Sequence, residues 1–127
     1  MRDQELASRA VACKGWRWMP GMLPLDGTGF SHRILRVRED GMPIDGHGAL
    51  PDAVPDLSDP ATLGCLLALV REAWGVPDLY VAPVEYVGPG PAPAWRAWAV
   101  EGPDLHVYTT SGKTEAAALV AALEAAP

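Results

Sequence analysis

Residues 59–77 have the sequence DPATLGCLLALVREAWGVP, and this stretch decides the fold. Asp59 suits the N-cap of a helix, and Pro60 suits the first helical position, where a missing N–H breaks no intrahelical bond. Apolar residues follow at spacings of three and four, the pattern of a helix with one buried face. They are Leu63, Leu66, Leu67, Val70 and Trp74. Because Gly75 and Pro77 end the pattern, the sequence predicts a central helix here.

Other regular elements are predicted on both sides of this helix. Residues 3–13 are predicted to form a short helix, and residues 31–38 a strand. The Gly- and Pro-rich residues 45–55 are predicted to form a loop. Three further strands are predicted at residues 79–87, 94–100 and 104–109. Thr114 is predicted to cap a last helix. The buried face of that helix comprises Ala116, Leu119, Val120 and Leu123.

The order of these elements predicts the fold class. Residues 56–127 are predicted to form helix, strand, strand, strand, helix, an α+β core with both helices on one face of a three-stranded antiparallel sheet. Residues 1–55 add a short helix, a Trp- and Arg-rich segment and a Gly- and Pro-rich segment, and the 127 residues are predicted to form one domain. Double-stranded-RNA-binding domains have a similar order. Lys113 is the only basic residue near the last helix, so the resemblance implies the shape without RNA binding.

Charge is distributed unevenly along the chain. Residues 1–38 contain seven basic and three acidic residues, which gives +4, and residues 39–127 contain three basic and thirteen acidic residues, which gives −10. The net charge of −6 argues against general nucleic-acid binding, because such binding requires a basic face that displaces counterions. Any anionic ligand is therefore expected near the N-terminal third.

The five tryptophans in 127 residues are the most unusual feature of the composition. One interpretation is that they fill a small core, since each ring buries a large area. A second is that Trp16 and Trp18 stack on a nucleotide base while Arg17, Arg33 and Arg36 pair with its phosphates. A third is that the same residues anchor a protein interface. The sequence leaves these three interpretations open.

No motif for catalysis, metal binding or membrane insertion is recognisable. The histidines His32, His47 and His106 lack the spacing of metal ligands, and two cysteines are too few for a zinc site made of thiolates. The longest apolar run, residues 63–70, is too short to cross a bilayer. Because Cys13 and Cys65 lie in apolar stretches, we expect two reduced, buried thiols in a cytoplasmic protein. We expect no catalytic residue, no metal, no cofactor and no membrane partner.

Three blocks of sequence resemble a family of short, uncharacterised proteins encoded by bacteriophages and prophages. The blocks are AVACKGWRWMPGM at residues 10–22, DLSDPATLGCLL at residues 56–67 and TEAAALVAAL at residues 114–123. The resemblance implies that the protein is located in the cytoplasm of a bacterial host. Small non-catalytic phage proteins in that setting often counter host defences, so the resemblance also implies such a role.

Three functional hypotheses follow. The leading one is a non-enzymatic phage protein that sequesters a nucleotide-derived immune signal of the host. Its ligand-binding residues are predicted to be Trp16, Arg17, Trp18, Arg33 and Arg36. The first alternative is an anti-CRISPR-like inhibitor that binds a host defence protein through acidic residues. The second is a small enzyme acting on a phosphorylated substrate, with His32 or His106 as acid or base. A homodimer that encloses the ligand between its subunits suits a domain of this size.

Overall fold

A computed structural model of the protein describes residues 3–25, 35–39, 41, 44–45, 48–49, 52–86, 90, 95–102 and 113–127. Its helices are α1 (Asp3–Val11), α2 (Pro60–Trp74) and α3 (Glu115–Ala125). Its strands are β1 (Pro24–Leu25), β2 (Ile44–Asp45), β3 (Gly48–Ala49), β4 (Val54–Pro55), β5 (Tyr80–Tyr86) and β6 (Trp95–Glu101). The mixture of helices and antiparallel strands confirms the predicted α+β class.

Helix α2 begins and ends where its sequence predicts. The Asp59 carboxylate accepts a hydrogen bond from the Thr62 N–H at 3.0 Å, and Pro60 lies in the first turn. Gly75 ends the helix in the left-handed conformation, with φ of 68°. Glycine adopts this conformation without the steric clash that a Cβ would cause. Each boundary of α2 is therefore set by residues close to that boundary in the sequence.

Helix α3 lies at the centre of the core and contacts α1, α2, β5 and β6. Six of its eleven residues are buried, and the four predicted for its buried face are among them. Trp74, the last residue of α2, donates its indole N–H to the Ala122 carbonyl at 2.8 Å. This bond satisfies one of the carbonyls that the last turn of a helix leaves free. It joins the C-terminal ends of α2 and α3.

The strands pair as three two-stranded antiparallel units within the described part of the chain. Strands β5 and β6 pair along their whole length and confirm the strands predicted at residues 79–87 and 94–100. Strand β1 pairs with β4, and β2 pairs with β3. The third strand predicted at residues 104–109 lies outside the described residues. The structure therefore shows an α+β fold but not the predicted three-stranded sheet.

Two regions of the N-terminal half differ from the prediction. Residues 35–38, the described part of the strand predicted at residues 31–38, form no regular strand. Val37 instead makes two backbone hydrogen bonds to residues 21 and 22. Its carbonyl accepts the Gly21 N–H, and its N–H donates to the Met22 carbonyl, both at 2.8 Å. The loop predicted at residues 45–55 contains strands β3 and β4. The pairing of β4 with β1 and the bonds of Val37 join segments that are distant in the sequence, whereas β3 pairs locally with β2.

Candidate functional site

Trp16 and Trp18 pack against each other edge to face, with ring centroids 5.3 Å apart and ring planes at 81°. Both rings are half-buried and lie against the hydrophobic core. The Trp16 Nε1–H is buried, and it has no hydrogen-bond partner in the described ranges. The two rings therefore contribute to the core and leave only part of each surface open to a ligand.

Arg36 belongs to a hydrogen-bond network at the start of α2. Its guanidinium donates to both oxygens of the Asp59 carboxylate, at 2.7 and 2.8 Å, and to the Gly21 carbonyl at 3.0 Å. The Arg36 guanidinium holds the pKa of the Asp59 carboxyl well below its usual range, and hydrogen bonds from Thr62 add to this effect. The Asp59 side chain is only 10% exposed. Arg36 is therefore held by the residue that caps α2.

Arg17 lies at the opposite end of α2 from Arg36. Its guanidinium donates to the Glu72 carboxylate at 2.5 Å, and the two side chains are 53% and 58% exposed. The carboxylates that hold the two arginines are separated by more than three turns of α2, roughly 20 Å at ~1.5 Å per residue. The structure does not bring Arg17 and Arg36 together. The predicted site residue Arg33 lies outside the described residues.

Ion pairs link the first 38 residues to the rest of the chain. They are Arg9 with Glu124, Arg17 with Glu72 and Arg36 with Asp59. In each pair the base comes from the segment with charge +4 and the acid from the segment with charge −10. Part of the positive charge of the N-terminal third is therefore used in ion pairs that hold this segment against α2 and α3.

A groove of about 230 Å³ lies at the C-terminal ends of α2 and α3, where the chain also turns after α1. Its lining includes Lys14, Gly15, Ala73, Leu123, Glu124 and Ala126. A Cβ at Gly15 would lie 3.1 Å from Leu123 Cδ1 and 3.3 Å from Ala73 Cβ, so the close packing there favours a residue without a side chain. Lys14 is exposed and has no carboxylate partner among the described residues.

Neither Arg17 nor Glu72 lines this groove, but both are near it in sequence: Glu72 directly precedes Ala73, and Arg17 follows Gly15 by two positions. Lys14 and Arg17 are therefore two cations at the same end of the molecule, with Trp16 between them in sequence. Lys14 is not among the ligand-binding residues predicted from the sequence. Its position in the segment KGWRW, directly before a glycine and two residues before a tryptophan, is the signal that could have identified it.

The two cysteines are free thiols, but they are half-buried rather than buried as predicted. Burial raises the pKa of both the Cys13 and the Cys65 thiol. A raised pKa keeps a thiol protonated at neutral pH, and a protonated thiol is a poor nucleophile. Neither cysteine therefore offers an activated nucleophile.

No protein-family model, curated protein or solved structure matches the chain. The membership of a phage family therefore stays a prediction, as does the homodimer. None of the described helices is long and apolar enough to cross a membrane. The same ranges hold no cluster of three or more side chains suited to a metal ion. His32 and His106, the acid–base residues of the enzymatic hypothesis, lie outside the described residues.

Proposed function

We propose that the protein is a non-enzymatic binding protein that sequesters a nucleotide-derived immune signal of a bacterial host in the groove beside Trp16. The observation that carries this proposal is Lys14, a cation that lines the groove without a carboxylate partner in the described ranges. An ammonium group and a guanidinium pair with phosphate oxygens, and a partly exposed indole offers a face to a base. The phage and host setting rests on the sequence resemblance alone.

The geometry supports a smaller set of binding residues than the sequence predicted. The Arg17–Glu72 pair is a surface pair, and such pairs typically contribute about 0–1 kcal/mol, so a ligand phosphate can replace Glu72. Arg36 is held by two bonds to a nearly buried carboxylate, and its release would disturb the cap of α2. We therefore assign binding to Lys14, Trp16 and Arg17, with Trp18 packed behind Trp16, and a structural role to Arg36.

The C-terminal ends of the helices at the groove carry partial negative charge. This charge repels an anion and lowers its affinity for the groove. Helices α1, α2 and α3 all end near the groove, and the last carbonyls of a helix carry roughly −0.5 elementary charge. Arg9 and Arg71, in the last turns of α1 and α2, offset part of this charge. The net attraction therefore depends on Lys14 and Arg17 together, and binding is expected to weaken as salt concentration rises.

Calorimetry with cyclic dinucleotides and ADP-ribose derivatives tests the proposal. Lys14→Gln and Arg17→Gln are each expected to weaken binding by about tenfold, the lower end of the range for a charge-assisted hydrogen bond. Lys113→Gln is the matched control, because Lys113 is an exposed lysine that precedes α3 at the end opposite to the groove. The proposal fails if no ligand releases or absorbs heat, or if the control variant loses as much affinity as Lys14→Gln. Recovery of intact ligand after denaturation distinguishes sequestration from turnover.

The acidic part of the chain supports a second candidate, an inhibitor that covers a basic surface on a host defence protein. Residues 39–127 carry −10, and pairing with Arg9, Arg17 and Arg36 still leaves −7. An excess of this size attracts a basic partner and speeds its association. A stoichiometric host protein that is captured at low salt and released at high salt, together with no binding of nucleotides, would favour this candidate.

A further inference from the structure

We infer that Glu72 competes with the ligand for Arg17: it holds the guanidinium in the free protein and gives it up when an anion enters the groove. This inference rests on the proposed function and concerns its regulation. It assigns to Glu72 a role in setting affinity, although Glu72 itself does not touch the ligand.

The position of Glu72 supports this role. The carboxylate lies in the last turn of α2, where the negative end of the helix dipole disfavours an acid. It contacts Arg17 at 2.5 Å, and both side chains are more than half exposed. A water-exposed pair at an unfavourable helix position is held weakly. A phosphate in the adjacent groove can therefore take over the guanidinium while Glu72 returns to water.

The other ion pair at the groove is less suited to this exchange. Glu124 lines the groove, but two nitrogens of the Arg9 guanidinium bond to its carboxylate, and both side chains are only about one third exposed. This pair also joins α1 to α3. Of these two arginines, Arg17 can therefore exchange its carboxylate partner for a ligand phosphate with the smaller loss of stability.

The test is a double-mutant cycle on Arg17 and Glu72, with ADP-ribose and a cyclic dinucleotide as probes in calorimetry. Glu72→Gln removes the competitor and is expected to strengthen binding by about two- to fivefold, the gain that corresponds to a surface ion pair. In the Arg17→Gln background the same change is expected to give no gain. Asp78→Asn is the control, because it removes one exposed carboxylate close to the end of α2 that does not contact Arg17.

The outcomes separate the two proposals. If the wild-type protein binds a probe and Glu72→Gln binds it no more tightly, competition by Glu72 is wrong while sequestration stands. A gain that persists without Arg17, or that Asp78→Asn reproduces, would show general charge repulsion and would also overturn the inference. If neither the wild-type protein nor Glu72→Gln binds any probe, the proposed function fails, and this inference fails with it.

Discussion

Leu119→Ala is expected to lower the free energy of unfolding by about 2–5 kcal/mol, the range for leucine truncation in a core. Leu119 is fully buried in α3, the helix that contacts α1, α2 and both strands of the β5–β6 hairpin. Truncation leaves a cavity where several elements meet, and these elements cannot close around it without shifting relative to one another. The loss is therefore expected to include a cavity contribution in addition to the lost apolar burial.

Urea unfolding followed by tryptophan fluorescence measures this loss, since five tryptophans report on the fold. Leu35→Ala is the matched control, because Leu35 is 39% exposed and its truncation leaves no internal cavity. We expect the control to lose less than about 1 kcal/mol. Equal losses in the two variants would contradict the central position of α3.

The helices were predictable because their signals are local. At the start of α3 the Thr114 hydroxyl accepts the Ala117 N–H at 3.1 Å, and at the start of α2 the Asp59 carboxylate accepts the Thr62 N–H. Each cap is a contact between residues three positions apart, so residue types at that spacing identify it. The apolar periodicity then predicts which face is buried, as the buried residues of α3 confirm.

The short strands of the N-terminal half were not predictable in the same way. Strand β1 pairs with β4, and Pro24 lies opposite Pro55 in this pair. Proline cannot donate a backbone hydrogen bond, so a proline-containing pair carries none of the usual strand signals. Contacts with distant residues, rather than a local pattern, order β1 and β4, whereas β2 and β3 pair locally.

The partners of the arginines could not be predicted either. Arg17 and Arg36 bond to carboxylates that lie 55 and 23 residues away in the sequence. A basic N-terminal segment followed by an acidic segment is compatible with two arrangements. The basic residues can bind an external anion, or they can form ion pairs with acidic residues of the same chain. Only the three-dimensional structure distinguishes them. Both guanidiniums are about half exposed, but Arg36 bonds to the nearly buried carboxylate of Asp59 and Arg17 to the exposed carboxylate of Glu72. Of the two predicted arginines that the structure describes, Arg17 is the one at the C-terminal end of α2, where the groove lies.

Asp59→Ala is expected to lower the free energy of unfolding by about 2–4 kcal/mol, since it removes a helix cap and a charge-assisted pair together. The Asp59 carboxylate accepts two bonds from Arg36 and also accepts the Thr62 N–H and hydroxyl. Thr62 is completely buried, and its hydroxyl also accepts the Leu23 N–H at 2.9 Å. The change therefore weakens the attachment of the 20–25 segment to α2. Asp78→Ala, at an exposed carboxylate, is expected to lose less than about 0.5 kcal/mol.

The same residue makes stability depend on pH, and Asp59→Asn isolates this dependence. Because the pKa of Asp59 is held below its usual range in the folded protein, ionised Asp59 stabilises the fold at pH values above the unfolded pKa of roughly 4. This stabilisation is lost as pH falls toward the folded pKa. Asparagine keeps an N-cap acceptor but has no charge, so the stability difference between wild type and Asp59→Asn is expected to shrink below about pH 4. Urea unfolding between about pH 2 and pH 7 measures it, and a difference that stays constant over this range would show that the Arg36–Asp59 pair does not stabilise the fold.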